Sequence, residues 1–275
     1  MILSGTAIAH KRKQDLITRV ELLKEKPTLV IIQIGDNPES TIYINQKIKF
    51  GKSIGVPVEL YQLEDNVTLE FIQKLISDFN HDDEIGGIIV QLPLPKDLQK
   101  FQFEIIDSIG PSKDVDGLTS YNLKKLMSNE KGMVPATVLG ISNLLKESEI
   151  EIASQNVVII GRSLLVGRSL AQLLTNQDAT VTLCHSKTKN LSEITKQADI
   201  LITATGTPKL ITKDLVHAKQ VVIDVGITST GELLEGDVDF ENVSDIVKAI
   251  TPVPGGVGPM TVLSLFENLI YRSDR

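Results

Sequence analysis

The chain has 275 residues, 41% of them hydrophobic and 23% charged, with a formal net charge of -7. That is a globular balance with room for one large or two modest domains, and the negative charge argues against a nucleic-acid role. Tryptophan is absent and aromatics are only 4%, so the core must be built from Ile, Leu and Val. A single cysteine, Cys184, excludes an internal disulfide and fits a reducing compartment. Met1–Ser4 lacks the apolar stretch of a signal peptide, and no run approaches the roughly 18 apolar residues that span a bilayer. The expected setting is therefore cytoplasmic, with no membrane partner. The four histidines are scattered without metal-ligand spacing, and no metal is expected.

Taken in order, residues 6–24 read as a helix and Thr28–Ile34 as a buried strand. Pro38–Ile54 reads as a helix, Val58–Leu63 as a short strand and Leu69–Phe79 as a helix. A short buried strand, Gly87–Val90, and a helical stretch near Phe101–Ile109 complete a β-α-β-α-β order, which predicts a parallel sheet covered by helices. Polar residues from Pro111 to Gly132 read as a connection between halves. A second alternating set follows, with helices at Ala136–Lys146, Gly167–Asn176 and Leu191–Gln197. Its strands are Val157–Ile160, Thr180–Cys184, Ile200–Ala204 and Val221–Val225, a Rossmann-like half. A proline-stiffened loop, Pro252–Pro259, leads into a last helix at Met260–Tyr271.

The strand ending at Ile160 runs into Gly161-Arg162-Ser163, and a helix starts at Gly167. Such a turn aims backbone N–H groups and a helix N-terminus at an anion. A dinucleotide fold that binds NAD places a carboxylate about 20 residues further on, for the ribose 2′-hydroxyl. Here the next strand ends Cys184-His185-Ser186 with no carboxylate, while Arg162 is a permanent cation on the neighbouring turn. NADP is thus favoured over NAD. In the first half Ser40, Tyr43 and Lys47 share one helix face. They offer a ring that can stack on a heterocycle and an amine that can handle protons, or else an ordinary surface pair. Gln91 follows a buried strand, where α/β sheets present ligands. Lys113-Asp114-Val115-Asp116-Gly117 carries two carboxylates two residues apart, expected to point the same way in an extended segment. They read either as a solvated acidic turn or as a hydrogen-bonding site for a heterocyclic amino group.

Seven segments occur in register: Ser40-x-x-Tyr43-x-x-x-Lys47, Val90-Gln91-Leu92-Pro93-Leu94-Pro95, Lys113–Gly117, Gly161-Arg162-Ser163 with Val166-Gly167, Cys184-His185-Ser186-x-Thr188, Asp224-Val225-Gly226-Ile227 and Pro254–Thr261. Together they resemble the bifunctional methylenetetrahydrofolate dehydrogenase/methenyltetrahydrofolate cyclohydrolase family, over essentially the whole chain. The resemblance implies a two-domain α/β protein with its active site in the cleft. Residues 1–136 plus 260–275 would form the folate-binding catalytic domain and 137–259 a Rossmann-like NADP-binding domain. It implies that Lys47 is the catalytic lysine, that Gln91 positions it, that Tyr43 stacks on the folate and that Asp116 bonds the pterin. Pro254, Gly255 and Gly256 would lie along the substrate, and Gly161, Arg162, Ser163, Ser186 and Ile227 would hold NADP. A homodimer is implied as well.

The chain departs from the family pattern at Ala136 and Val138, where a cysteine and a proline are usual, at Ser169, where a proline is common, and at Lys124, often a glycine. A shikimate-type NADP dehydrogenase would account for the nucleotide half. It leaves the Tyr43, Lys47, Gln91 and Asp116 set without a purpose.

Overall fold

The structure, a computed structural model, describes residues 1–230 and 233–271. In chain order the elements begin α1 (Gly5–Leu22), β1 (Thr28–Ile34), α2 (Pro38–Ile54), β2 (Val58–Leu63), α3 (Leu69–His81), β3 (Ile85–Val90), α4 (Gln102–Asp107) and α5 (Ser120–Met127). They continue with α6 (Ala136–Glu147), β4 (Asn156–Ile160), α7 (Ser169–Asn176), β5 (Thr180–Cys184), α8 (Leu191–Thr195) and β6 (Ile200–Thr203). The last are β7 (Val221–Asp224), β8 (Thr228–Thr230), β9 (Leu233–Glu235), α9 (Phe240–Val243), β10 (Ala249–Ile250) and α10 (Val257–Ile270). Two compact units result: Lys11–Ala136 with Val262–Arg275, and Met1–His10 with Thr137–Thr261. Residues 1–10, grouped by the sequence reading with the first half, fall in the second unit. There the Leu3 N–H donates to the Ile250 carbonyl (2.8 Å) and the Thr6 N–H to the Gly255 carbonyl (3.0 Å).

In the first unit a parallel sheet runs β2-β1-β3. β1 and β3 are buried throughout but for Thr28 and apolar apart from Thr28 and Gln33, as parallel strands covered by helices are. β2, at one edge, keeps Glu59 and Gln62 exposed. Ile72 and Ile76 of α3 and Ile105 of α4 pack with Val30, Ile32 and Ile88 of the sheet. Local chemistry fixes the ends of α2. Asn37 Oδ1 accepts from the Ser40 N–H (3.0 Å), Pro38 opens the first turn, and Gly55 closes the helix at φ 76°.

The stretch Pro111–Gly132, expected to be a connection, contains α5. The helix is capped by Thr119, whose side chain accepts from the Asn122 N–H, and it buries only Asn122 and Leu126. Its anchor is Asp114, which makes an isolated parallel bridge with Ile88 and is flanked on both sides by turns. Asp114 Oδ1 accepts from the Leu118 N–H (3.1 Å). Asp114 Oδ2 accepts from the Thr119 N–H (2.9 Å), Thr119 Oγ1 (2.7 Å) and Asn122 Nδ2 (2.8 Å). Lys113 Nζ reaches back to the Phe79 and Asp82 carbonyls at the end of α3 (2.9 and 2.6 Å). This loop lies against β3, where the Ile88 N–H donates to the Lys113 carbonyl (2.8 Å). A Cβ at Gly87 would stand 2.7 Å from Val115 Cγ1 and 3.0 Å from Leu269 Cδ1, so the close approach needs a bare backbone.

In the second unit five parallel strands run β10-β7-β6-β4-β5. The chain leaves β4 for β5 on one side and then crosses to β6, β7 and β10 on the other. The carboxyl end of β4 is therefore a topological switch point, where open α/β sheets take their ligands. The hairpin β8–β9, the four-residue α9 and the two-residue β10 were not expected. Each is too short to carry a periodic signal.

Asp114→Ala leaves several buried donors without an acceptor and should lower stability by about 3 kcal/mol or more. Urea denaturation reads this directly. A loss under about 1 kcal/mol, the worth of a single ordinary hydrogen bond, would mean that the carboxylate does not organise the loop.

Candidate active site

The end of β3 delivers Gln91, whose N–H donates to the Ile32 carbonyl of the neighbouring strand (2.9 Å). Its side-chain amide is fixed at both ends. Gln91 Nε2 donates to the Leu92 carbonyl (2.7 Å), and Gln91 Oε1 accepts from Lys47 Nζ (2.8 Å). Lys47 projects from α2 and is only 8% exposed. Ser40, two turns earlier on the same helix, donates its hydroxyl to the Leu92 carbonyl (3.4 Å) and so ties α2 to the strand exit. Tyr43, one turn before Lys47, is half-buried.

Asp114 and Asp116 part company. Asp114 has both oxygens turned into the α5 cap, whereas half-buried Asp116 is electrostatically coupled to Lys47. Burial lowers the Lys47 pKa below its ordinary 10.5, and the Asp116 charge opposes that shift without overcoming it. Burial likewise raises the Asp116 carboxyl above 3.8, with Lys47 opposing and Asp114 adding to the rise. In both groups desolvation outweighs mutual attraction, which favours the uncharged forms. The outcome is a buried amine and a half-buried carboxyl, electrostatically coupled and each shifted toward readiness to exchange a proton.

Val115, beside Asp116, is held from the last helix. Asn268 Nδ2 donates to the Val115 carbonyl and to the Val134 carbonyl, both at 2.9 Å. The Asp116 carbonyl accepts from the Ala136 N–H (3.2 Å). Asn268 was missed in the sequence, because a helical Asn gives no sign of partners more than a hundred residues away. Pro254, Gly255 and Gly256 belong to the second unit.

That unit also carries the anion-binding turn. Gly161 follows β4 at φ 116°, a conformation open to glycine, and a Cβ there would collide with the Ala204 carbonyl oxygen. Ser163 caps a single π-helical turn, Leu164–Arg168, with its side chain accepting from the Val166 N–H. Ser169, where the family has proline, donates its hydroxyl to the Leu164 carbonyl (2.6 Å) and closes that turn. Ala136 and Val138 are buried in the first turn of α6, and Lys124 is exposed on α5.

The pairing of Ile160 with Cys184 places Arg162 and Ser186 two residues beyond matched rungs, and both are exposed. The Ser186 turn is preformed, since the His185 N–H donates to Thr188 Oγ1 (2.9 Å). A bare glycine cradle, a cation and a hydroxyl, with no carboxylate at the end of β5, fit a nucleotide carrying a 2′-phosphate. Ile227 is half-buried beside Gly258, a Cβ of which would lie 3.9 Å from Ile227 Cδ1. Among the described residues no group of three or more His, Cys, Asp or Glu could hold a metal, and no helix is long and apolar enough to cross a membrane.

Comparison with known proteins agrees with this arrangement. Residues 3–116 match the model for the tetrahydrofolate dehydrogenase/cyclohydrolase catalytic domain, and residues 135–275 match that family's NAD(P)-binding domain. The bifunctional protein FolD of Bacillus cytotoxicus is 45% identical, over 100% of this chain and 97% of the relative. The crystal structure of the bifunctional FolD enzyme of Campylobacter jejuni superposes with a TM-score of 0.94 at 42% identity, covering 100% of this chain and 98% of that one. The Trypanosoma brucei dehydrogenase-cyclohydrolase, solved with NADP cofactor and inhibitor, gives a TM-score of 0.93 at 33% identity, with the same coverage of both chains. A lysine-centred site in one α/β unit, a switch-point glycine turn in the other and two family models that between them match nearly the whole sequence lead to one conclusion. The chain belongs to the tetrahydrofolate dehydrogenase/cyclohydrolase family.

Proposed function

We propose that the protein oxidises 5,10-methylenetetrahydrofolate to the 5,10-methenyl form with NADP, and hydrolyses that product to 10-formyltetrahydrofolate. The observation that carries this reading is the buried Lys47 amine, held by the neutral Gln91 amide beside Asp116. Tyr43 offers a ring to the folate, and Asp116 hydrogen-bonds the pterin. Pro254, Gly255 and Gly256 are assigned to the substrate on the sequence resemblance. NADP, when bound, supplies the hydride acceptor. The turn at Gly161–Ser163, whose Gly161 N–H is itself spent on the Cys184 carbonyl (3.0 Å), would hold its pyrophosphate, Arg162 and Ser186 would take its 2′-phosphate, and Ile227 would complete the set. A homodimer and a cytoplasmic location belong to the same proposal, the first checked by light scattering.

The charge logic favours a neutral lysine. Loss of hydride leaves a cationic one-carbon bridge, which a fixed ammonium nearby would oppose. With its pKa lowered by burial, Lys47 can take the proton from water as the oxygen bonds to the methenyl carbon. It can then return the proton to the ring nitrogen as the carbon–nitrogen bond opens, the remaining hydroxyl proton leaving to solvent as the formyl carbonyl forms. Gln91 Oε1 accepts from the amine in either protonation state, so the lysine keeps its place through the cycle.

Lys47→Met or Lys47→Gln should abolish cyclohydrolase activity more completely than dehydrogenase activity. Normal hydrolysis of the methenyl substrate by either variant would remove Lys47 from the mechanism.

The cyclohydrolase rate should rise with pH as Lys47 loses its proton, with the limb centred below 10.5 because burial lowers that pKa. Gln91→Glu places a carboxylate on the amine, favours the ammonium and should move the limb to higher pH. A profile that does not move would show that Gln91 leaves the lysine's protonation untouched.

Ser186→Asp sets a negative charge against the 2′-phosphate. It should raise the KM for NADP roughly tenfold or more while sparing NAD. Equal effects on both nucleotides would place the 2′-phosphate elsewhere.

A further inference from the structure

Two buried carboxyls in the second unit have no part in the chemistry above. Asp237 is fully buried and Asp224 is 3% exposed. Asp237 Oδ2 accepts from Thr203 Oγ1 (2.8 Å) and from the Thr205 N–H (2.6 Å), while its Oδ1 accepts from the Thr207 N–H (2.9 Å). Asp224 Oδ1 accepts from the Asp237 N–H (3.0 Å) and its Oδ2 from the Val238 N–H (2.9 Å), with the Gly226 N–H as a further donor. The Asp224 N–H in turn donates to Thr251 Oγ1 (2.7 Å). These donors to the two carboxyls are backbone N–H groups and one hydroxyl, so the bonds fix chain positions and pair no opposite charge.

The segments tied together are those leaving the carboxyl ends of β6 and β7, where a nucleotide sits in this kind of sheet. Ala204, between Thr203 and Thr205, presents the carbonyl that forbids a side chain at Gly161. Gly226 precedes Ile227, and a Cβ on Gly226 would collide with the Asp237 carboxylate. Thr228 Oγ1 donates to the Gly206 carbonyl (3.1 Å) and joins the two loops a second time. Burial pushes the Asp224 carboxyl up to about 7, against the pull of its backbone donors. A pair of buried acids, one at the end of β7 and one in the bend after β9, is a costly way to fill space. It is an effective way to hold several N–H groups at set positions.

Building on the NADP-dependent function proposed above, we infer that Asp237 and Asp224 are positioning residues for the nucleotide. They lock the loops after β6 and β7 against the Gly161 turn in the conformation the cofactor needs, and they take no part in the lysine chemistry of the other unit.

The test uses the full-length protein and two readouts. One is the dissociation constant of NADP by titration calorimetry, and the other is cyclohydrolase kcat/KM on methenyltetrahydrofolate without nucleotide. Asp237→Asn turns one acceptor into a donor facing N–H groups, and should weaken NADP at least tenfold. Thr203→Val removes a single hydroxyl of similar shape and should weaken NADP about fivefold, the worth of one hydrogen bond. Thr203→Ser keeps the hydroxyl and should bind as the parent does. Cyclohydrolase kcat/KM should stay within about twofold in all three. Unchanged NADP affinity in Thr203→Val and Asp237→Asn, or parallel loss of cyclohydrolase activity, would overturn the inference. Should Asp237→Asn not fold, the Thr203 pair decides alone. A parent protein that binds no NADP would bring down the dehydrogenase reading itself, and with it this inference.

Discussion

The central constraint is an amine taken out of water and handed to a neutral acceptor. Lys47 is nearly buried, and its direct partner is an amide oxygen at 2.8 Å. A carboxylate in that place would reward the ammonium, by 1.36 kcal/mol for every unit its pKa rose. An amide oxygen accepts from an ammonium or an amine alike, so the bond survives the loss of the proton. Much of the first unit serves this arrangement. β1 holds the Gln91 backbone, the Leu92 carbonyl holds the amide nitrogen, and Ser40 brings α2 against the same carbonyl.

The acidic loop shows how neighbouring residues of the same type are given different duties. Lys113 closes the end of α3, Asp114 anchors the Thr119 cap of α5, and only Asp116 is left to interact with Lys47. A carboxylate saturated by four donors is an architectural part. A carboxyl that burial raises, with only the Lys47 amine opposing, is a chemical one. The second unit makes a similar division, with Arg162 and Ser186 exposed at the strand ends and two acids buried behind the loops.

Where structure is encoded locally, the sequence is enough to read it. β1, α2 and β2 carry the predicted bounds because Asn37, Pro38 and Gly55 mark the helix ends, β1 is a largely apolar run, and β2 is a short β-prone segment entered through Pro57. α5 is illegible by the same test: its buried side is one Asn and one Leu, and its stability comes from a carboxylate outside the helix. β10 is two residues long and is defined by its neighbour β7. At the site, the shared face of Ser40, Tyr43 and Lys47 follows from helix period alone, and Gln91 stands out by its place at a strand exit. Their meeting across 44 residues of chain does not follow from any pattern, nor do the opposite fates of Asp114 and Asp116. Those depend on turn geometry and on Asn268, a residue from the far end of the sequence.

Gly87 shows how far such dependence reaches. The loop bearing Asp116 can settle onto β3 because that rung of the strand has no side chain, and Val115 fills the space a methyl would take. Electrostatic coupling between Asp116 and Lys47 varies inversely with their separation. The height of the loop above the sheet therefore enters the acidity of both groups. A position with no side chain and no charge thus helps to set the proton affinities of two others, and a loop of the same sequence on a bulkier strand would not carry the same chemistry.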